Sequence, residues 1–422
     1  MPKYNSQPEA AIRPEVELLL CCARTSIEPE RIERIKSLLK EEIDWVYLIR
    51  MMLAHGMLPL LYKALKTACA EAVPASTLEQ LRRQFEAIAR RNAFMAEELI
   101  RILTLLKRHG IIAIPFKGPV LAALAYGDIS LRQFADLDIL VKKPEVFRAR
   151  DLLISELYRP HSQLTASEQE ARLQSNCEFA FISPDSKIAV ELHWRITPKY
   201  FSFPMEMSRL WERLDYLPLA GRSVPTLRAE ELLLILCVHG AKHRWQRLDW
   251  ICDIAELVRT HAGVDWEYVV QQADRLGVQR MLLVGLLLAN DLLGATLPDK
   301  VSRRIESDTV IEMLAGPVRK RLFHDVEASP EVSDRPVSKD ALPLGLIHFH
   351  LRSRERLRDR IRYCLYFGNL AITPTKKDRE FLRLPASLSL LYYLLRPVRL
   401  AGEYGLKPFM KTLMYMLGRQ EL

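Results

Sequence analysis

The sequence predicts an α+β protein in which a small mixed sheet lies between two all-helical regions. Apolar residues recur with helical spacing through residues 14–107, and the same spacing returns from Leu227 onward. Between these regions, short β-branched apolar segments alternate with helical ones over residues 110–197. A chain of 422 residues is long enough for two or three domains.

The N-terminal helical pattern ends at Gly110, a typical residue after a helix C-terminus. The central region then contains, in order, a strand in IIAIPF, a helix in PVLAALAYG, a strand in DLDILVK, a helix in PEVFRARDLLISELY, and strands in CEFAFIS and KIAVELHWRI. This β-α-β-α-β-β order predicts a compact α/β unit. We expect four parts: an N-terminal helical region (1–109), the α/β core (110–200), a helical domain (201–340) and a basic C-terminal helical region (341–422).

The net charge of +9 comes entirely from the C-terminal region. Residues 341–422 contain 15 basic and 6 acidic residues, whereas the first 340 contain 46 of each. The stretch LRSRERLRDRIR (351–362) carries an arginine at every second position, which scatters charge around a helix. Two interpretations stay open: a solvated helix, or a surface that attracts RNA or another polyanion.

Cysteine usage and apolar run length indicate the compartment. The seven cysteines are scattered, odd in number and without a CxxC pair, which favours a reducing compartment over a disulfide framework or a structural zinc site. The longest apolar stretches, such as 281–297, are short and interrupted by Asp291. With no signal-peptide segment at the start, we expect a cytoplasmic protein without a membrane span.

Two carboxylates, Asp136 and Asp138, begin the predicted strand DLDILVK. Alternation along a strand places residues i and i+2 on one face, so both side chains project together. Glu191, in IAVELHW, is predicted to reach the same place from a neighbouring strand, with His193 on its face as a candidate substrate contact. Three carboxylates that hold two Mg²⁺ ions, or Mn²⁺ in their place, are typical of phosphoryl or nucleotidyl transfer.

Basic residues and a glycine near these acids are candidates for nucleotide binding. Lys117 and Gly118 lie between the first strand and a helix, where backbone N–H groups and the helix N-terminus favour a phosphate. Arg132 precedes Asp136 by four residues and is a candidate for the triphosphate. Further along the chain, Lys242 and Arg244 are candidates to reach a nucleotide across the cleft.

His239 and His243 have i, i+4 spacing on a predicted helix. This spacing can ligate zinc, but no acidic or cysteine partner accompanies them at motif spacing. A structural role or a substrate contact is therefore the favoured interpretation.

The motifs KG…YGD…LRQFADLDILV and the later VELHW resemble the nucleotidyltransferase fold of the DNA polymerase β superfamily, in particular the bacterial family called uncharacterised nucleotidyltransferase. HGAKHRWQRLDWICDIAEL (239–257) and LRLPASLSLLYYLLRPVRL (382–400) resemble that family as well. The resemblance implies an NTP co-substrate, Mg²⁺ and an acceptor of undetermined identity. It also implies that Asp136, Asp138 and Glu191 are the catalytic, metal-binding acids.

The turn departs from the superfamily's usual Gly-Gly or Gly-Ser, since it reads Lys117-Gly118-Pro119. The serine that often touches a phosphate is therefore missing, and Lys117 or Arg132 is expected to substitute for it. The resemblance predicts an enzyme that moves an NMP group from an NTP to an acceptor hydroxyl on a small molecule, a protein or an RNA. The alternatives are an inactive nucleotide-binding or regulatory protein with the same fold, and a helical scaffold whose acids are surface groups.

Overall fold

The computed structural model describes residues 13–324, 344–382 and 384–404. They divide into two compact units. The first contains residues 13–199 and 203–324, and the second contains residues 200–202 together with the described residues from 344 onward. The four-part division expected from the sequence stays a prediction.

The N-terminal part of the first unit is helical. Its five helices are α1 (Pro14–Cys22), α2 (Pro29–Leu38), α3 (Trp45–Ala54), α4 (Leu58–Cys69) and α5 (Ala75–Arg108). Helix α5 ends at Arg108, two residues before the predicted Gly110. Gly110 has a φ of +72°. Left-handed backbone of this kind is least costly for glycine, which explains why the helix ends there.

A five-stranded mixed sheet follows, with three helices among its strands. In chain order the elements are β1 (Ala113–Pro115), α6 (Gly118–Tyr126), β2 (Asp136–Val141), α7 (Val146–Ser155), β3 (Arg159–Pro160), α8 (Ala166–Ser175), β4 (Glu178–Ile182) and β5 (Ala189–His193). The strand order is β1-β2-β5-β4-β3, in which only β2 and β5 pair in parallel. The predicted α+β fold class is confirmed, and β3 and α8 are elements that the sequence pattern did not predict.

Long helix α5 covers one face of the sheet. Its Leu99, Ile102 and Leu106 belong to the same buried cluster as Ile139 of β2 and Leu192 of β5. These strand residues alternate with Asp138 and Glu191, so the two acids project from the opposite face. The period-2 pattern of the strands therefore separates an apolar core face from a polar site face.

A β-hairpin lies within the region that was predicted to be helical from residue 201. Helix α9 (Met207–Glu212) leads into β6 (Leu214–Leu219) and β7 (Arg222–Leu227), which pair in antiparallel fashion. Ala220 and Gly221 both have positive φ, as a two-residue hairpin turn requires. The sequence does not predict these strands because Pro218 and Pro225 interrupt them, and proline is rare in a paired strand.

Six helices complete the described part of the first unit, and four helices make up most of the described part of the second. The first set is α10 (Ala229–Lys242), α11 (Leu248–Thr260), α12 (Trp266–Leu276), α13 (Gln279–Leu293), α14 (Asp299–Ser307) and α15 (Thr309–His324). The second set is α16 (Leu344–Arg352), α17 (Leu357–Ile372), α18 (Lys376–Phe381) and α19 (Tyr392–Tyr404). None of the helices in the described residues combines the length and apolar character that a membrane crossing needs.

His55 joins three helices of the first unit through its buried imidazole. Its Nε2 lies 2.7 Å from the Leu322 carbonyl oxygen, and its Nδ1 accepts the Leu248 backbone N–H at 3.2 Å. An accepting Nδ1 requires the neutral ring. Burial, aided by the charge of Arg247, accordingly lowers the pKa of His55 to about 4, although the Leu322 hydrogen bond opposes this.

The stability of the first unit is therefore expected to fall as the pH drops from about 6.5 to 4. The unfolded imidazole, with its ordinary pKa of about 6.5, binds a proton that the folded one excludes, which disfavours folding by about 2 kcal/mol at about pH 5. All six tryptophans lie in this unit, so urea unfolding followed by tryptophan fluorescence reports on it. His55→Gln should lose this part of the pH dependence, and an unchanged pH slope in the variant would contradict the assignment.

Candidate active site

Three carboxylates meet on the site face of the sheet, where β2 and β5 run in parallel. The register places Asp138 directly opposite Glu191, and Asp136 lies two residues before Asp138 on the same face. We call Asp136, Asp138 and Glu191 the acid cluster. The structure thus brings the three predicted acids together, while their role as metal ligands stays a prediction.

Asp138 is the most enclosed member of the acid cluster, with 2% of its surface exposed. Its Oδ1 accepts a hydrogen bond from Lys117 Nζ at 3.0 Å and lies 3.1 Å from His193 Nε2. Its Oδ2 is buried and has no hydrogen-bond partner among the described residues. A buried carboxylate oxygen without a partner is costly, so this atom is a natural place for a further cation.

His193 lies at the centre of the site. Its Nε2 is also 3.2 Å from Glu191 Oε2, and its Nδ1 is 3.6 Å from Glu178 Oε2. The ring packs edge-on against Phe116, with 5.2 Å between centroids. The predicted substrate contact is therefore a buried histidine within 3.2 Å of two carboxylates, and its contact with a substrate stays a prediction.

The charges of the site influence one another strongly. Burial, together with the nearby Asp138 carboxylate, raises the pKa of Asp136 to about 7. Burial acts on Asp138 in the same sense, but Lys117 and His193 outweigh it and hold the pKa of Asp138 below its usual range. Burial opposes the imidazolium of His193, yet hydrogen bonds to Asp138, Cys177 and Glu191 raise its pKa well above the usual value. The cationic neighbours thus partly neutralise the repulsion between the acids.

The carboxylate oxygens fit a hard divalent cation. One oxygen each from Asp138 and Glu191 lies within 4.8 Å of the other and of a His193 ring nitrogen, and His193 in its protonated form donates to these oxygens and does not itself ligate a metal. Carboxylate oxygens are the ligands that Mg²⁺ and Mn²⁺ prefer, and Asp138 Oδ2 is available for such a contact. A second group, Cys177, Glu178 and His193, satisfies the same distance criterion but shares the imidazole of His193.

The Lys117-Gly118 turn approaches strand β2 closely. Gly118 has a φ of +55°, and a Cβ at this position would lie 3.1 Å from the Asp136 carbonyl oxygen. Glycine is therefore required by the backbone itself, a reason that is independent of any phosphate. The Lys117 ammonium contacts Asp138, so the turn supplies the acid cluster with its nearest positive charge.

Gly118→Ala should destabilise the first unit by about 2 kcal/mol or more, because left-handed backbone strain and the contact with Asp136 add up. Gly110→Ala is the matched control, since Gly110 has a φ of +72° and a Cβ there would meet nothing within 4 Å. It should cost only about 1 kcal/mol. Urea unfolding compares the two variants, and equal losses would show that the close approach has no effect.

Arg132 has a different partner from the predicted triphosphate. Its Nε and Nη2 donate to the two oxygens of Asp253, at 2.7 and 2.8 Å. Asp253 Oδ1 also accepts the hydroxyl of Tyr126 at 2.7 Å. All three side chains are buried, so the guanidinium is committed to Asp253 of α11. Arg132 therefore anchors the segment that enters β2, and a contact between Arg132 and the triphosphate stays a prediction.

The remaining predicted residues lie around the end of α10. His239 and His243 have ring centroids 4.8 Å apart, and each lies 5.2 Å from Trp250. Burial, with the charge of Lys242 adding to it, lowers the pKa of His243 to about 3, and burial lowers that of His239 well below its usual value. Both imidazoles are therefore neutral.

The two basic candidates near α10 differ in position. Lys242 is the last residue of α10, and its charge, after that of His193, helps to hold the pKa of Glu178 below its usual range against the effect of burial. Arg244 lies on the following turn with a φ of +53°, and its carbonyl oxygen accepts a hydrogen bond from Arg321. Lys242 thus acts electrostatically on the site, whereas the backbone of Arg244 is part of the turn.

In the site network, Glu178 was missed in the sequence, and the pairing of Asp253 with Arg132 was not predicted. Glu178 lies opposite His193 in the β4–β5 register, and the alternation in CEFAFIS could have indicated that its side chain points to the site face. Asp253 is 121 positions from Arg132, and no local signal relates the two.

The similarity of this chain to known proteins provides independent information. The family described as uncharacterised nucleotidyltransferase matches residues 41–294, which is more than half of the chain and includes every residue of the site. The chain belongs to this family. The predicted resemblance to this family is confirmed over residues 41–294, and membership indicates nucleotidyl transfer as the general class of reaction.

Other similarities add little to the uncharacterised nucleotidyltransferase assignment. A crystal structure of an antigenic nucleotidyltransferase-like protein from Paracoccidioides brasiliensis matches with 15% identity and a TM-score of 0.28, over 48% of this chain and 91% of that chain. A likeness at this TM-score supports no inference about the present chain. No curated protein matches.

Proposed function

We propose that this protein transfers a nucleoside monophosphate from an NTP to an acceptor hydroxyl and releases pyrophosphate. The observation that carries the proposal is the acid cluster, in which Asp138 and Glu191 face each other across the only parallel strand pair of the described sheet. The family assignment gives this arrangement its chemical context.

The acid cluster would hold two Mg²⁺ ions, with Mn²⁺ as an alternative. Asp136 and Asp138 would contact both ions, and Glu191 would contact the one nearer the acceptor. When bound, such ions lower the pKa of the attacking hydroxyl and neutralise the charge on the phosphates. Two observations support cation binding by these acids. Among the described residues Asp138 Oδ2 has no hydrogen-bond partner, and burial with the Asp138 charge raises the pKa of Asp136 to about 7, an effect that a bound cation would oppose.

The side chains around the acid cluster would bind and orient the substrates. Lys117 and Gly118 stand at the N-terminus of α6, where an ammonium and backbone N–H groups favour the triphosphate. Lys242, and Arg244 two residues later, would approach the nucleotide from α10. His193 would keep its proton and hold Asp138 and Glu191 in position, while His239 and His243 offer neutral rings to the acceptor.

Labelled nucleotides test this reaction without knowledge of the acceptor. The full chain is incubated with Mg²⁺, a cell extract and each NTP in turn, labelled at either the α- or the γ-phosphate. We expect label to reach an acceptor from an α-labelled NTP only, with pyrophosphate released in equal amount and no reaction in EDTA. Transfer of the γ-label would identify a phosphoryl transferase instead, and no transfer from any NTP would contradict the proposal.

The acceptor class follows from the same experiment, because protein, RNA and small molecules separate readily. A basic C-terminal region makes RNA one of the candidates, and binding to RNA would weaken steeply with salt. We place the reaction in the cytoplasm, since scattered cysteines in odd number suit a reducing compartment.

A second candidate function is that of a nucleotide-binding protein without turnover. The Lys117 ammonium on Asp138 favours it, because a fixed lysine already supplies part of the charge that a metal would bring. Mg²⁺-dependent NTP binding in equilibrium dialysis, without pyrophosphate release across many extracts, would distinguish this function from the enzyme.

A further inference from the structure

Helix α17 of the second unit carries an exposed apolar stripe along its whole length. The stripe consists of Leu357, Ile361, Leu365 and Ile372, which are 69%, 50%, 68% and 46% exposed. At 100° per residue these positions fall within an arc of about 80° on one side of the helix. Single exposed leucines are ordinary, but an aligned series of large apolar side chains marks an interaction surface.

The stripe faces away from the interior of its own unit. Asp359, Tyr363 and Phe367 form the buried side of α17 and lie on the opposite side of the helix. Tyr363 packs there against Phe367 and beneath the Arg354 guanidinium. Helix α17 is therefore held through this buried side, and among the described residues the stripe stays between 46% and 69% exposed.

Arginines flank the stripe on both sides. Arg358 and Arg362 follow stripe residues by one position and are 66% and 52% exposed at their side chains. Arg360 lies on the other flank, where it is half-buried and its Nε donates to the Arg354 carbonyl oxygen at 2.8 Å. Arg358 and Arg362 each approach Asp359 only to 3.9 Å, and Arg362 also contacts the Ser202 hydroxyl at 3.4 Å. These long contacts leave most of each side chain in solvent, and long arginine side chains can extend from an apolar surface toward anions.

We propose that α17 binds the surface of a membrane that contains anionic lipids. The stripe would enter the boundary between headgroups and acyl chains, and the flanking arginines would contact the lipid phosphates. The 16-residue helix would lie parallel to the membrane plane, which agrees with the attachment of its other side to the second unit. RNA would use the arginines but not the leucines and isoleucines, and a second protein copy would not require the exposed Arg358 and Arg362 beside the stripe.

The stripe belongs to the second unit, whereas the residues of the proposed active site belong to the first. The family match ends at residue 294, so α17 lies outside the matched region. Membrane binding can therefore be measured without nucleotide, and its failure would leave the proposed transferase activity untouched.

Co-sedimentation of the full chain with lipid vesicles tests the proposal. We expect binding to vesicles of phosphatidylcholine mixed with phosphatidylglycerol, and weak binding to phosphatidylcholine alone. Ile361→Glu with Leu365→Glu should reduce binding by about tenfold or more, since both side chains would bring a charge into the apolar boundary. Arg358→Gln with Arg362→Gln should weaken binding and flatten its dependence on salt.

The matched control is Val46→Glu with Leu53→Glu, which places the same charges at exposed apolar positions of α3 in the first unit. It should bind vesicles like the wild type, and circular dichroism should show unchanged helix content in all variants. Equal binding by the Ile361→Glu, Leu365→Glu variant would overturn the proposal. If light scattering shows that the wild type is a dimer and that this variant is a monomer, the stripe is a dimer interface and the proposal is wrong. Binding to RNA without binding to anionic vesicles would also overturn the proposal.

Discussion

Asp138→Asn is expected to reduce nucleotidyl transfer by about three orders of magnitude while the fold persists. Asparagine keeps the shape of the side chain and one oxygen, but it removes the negative charge at the centre of the acid cluster. Divalent-metal stabilisation of the transferring phosphate provides several kcal/mol, and each 1.4 kcal/mol corresponds to about tenfold in rate. The assay is release of pyrophosphate from the NTP that labels the acceptor.

A second readout separates loss of metal from loss of structure. Binding of Mn²⁺, followed by electron paramagnetic resonance, should weaken in the Asp138→Asn variant together with the rate. Asp128→Asn is the matched control, because Asp128 is exposed and caps a short turn through the Ser130 N–H, a role that asparagine can fill. Wild-type turnover in Asp138→Asn, or an equal loss in the control, would refute the assignment of the acid cluster.

Asp253→Asn should produce the largest loss of stability, about 3 to 5 kcal/mol in the first unit. The substitution leaves the buried Arg132 guanidinium without its counter-charge and disturbs the Tyr126 hydrogen bond. Urea unfolding followed by tryptophan fluorescence measures the effect. Asp291→Asn, in the less buried pair with Arg319, is the matched control and should cost about 1 kcal/mol or less.

The double variant Arg132→Met with Asp253→Leu tests what the pair does. Replacing both charges by apolar residues should recover most of the stability that Asp253→Asn loses. If Arg132 only anchors the segment before β2, the double variant keeps its KM for the NTP within about threefold. A rise in KM of about tenfold or more, at recovered stability, would return Arg132 to the triphosphate.

The sequence predicted the parts of the site that depend on local periodicity. Alternation placed Asp136 and Asp138 on one face, and the apolar residues between and after them indicated a buried strand. The switch from helical to strand spacing at Ile111 was likewise local, and so the sheet was found in the right part of the chain. The β6–β7 hairpin was missed because its prolines obscure the strand pattern.

The partners of these side chains depended on the tertiary structure. Which strand lies beside β2 is a non-local fact, and only the register shows that Asp138 faces Glu191. Lys117 was predicted to meet phosphate and contacts Asp138, and Arg132 contacts a carboxylate 121 positions away. A charged side chain that is buried takes the nearest counter-charge in space, and sequence spacing does not encode that distance.

The sequence by itself determined the fold class, the family resemblance and the three acids on two strands. The tertiary structure alone decided how their repulsion is relieved, with Lys117 and His193 on Asp138 and one oxygen of Asp138 left without a partner among the described residues. The physical reason is that periodicity fixes the direction of a side chain within its own element. Neutralisation of a buried charge depends on which elements the whole fold brings together.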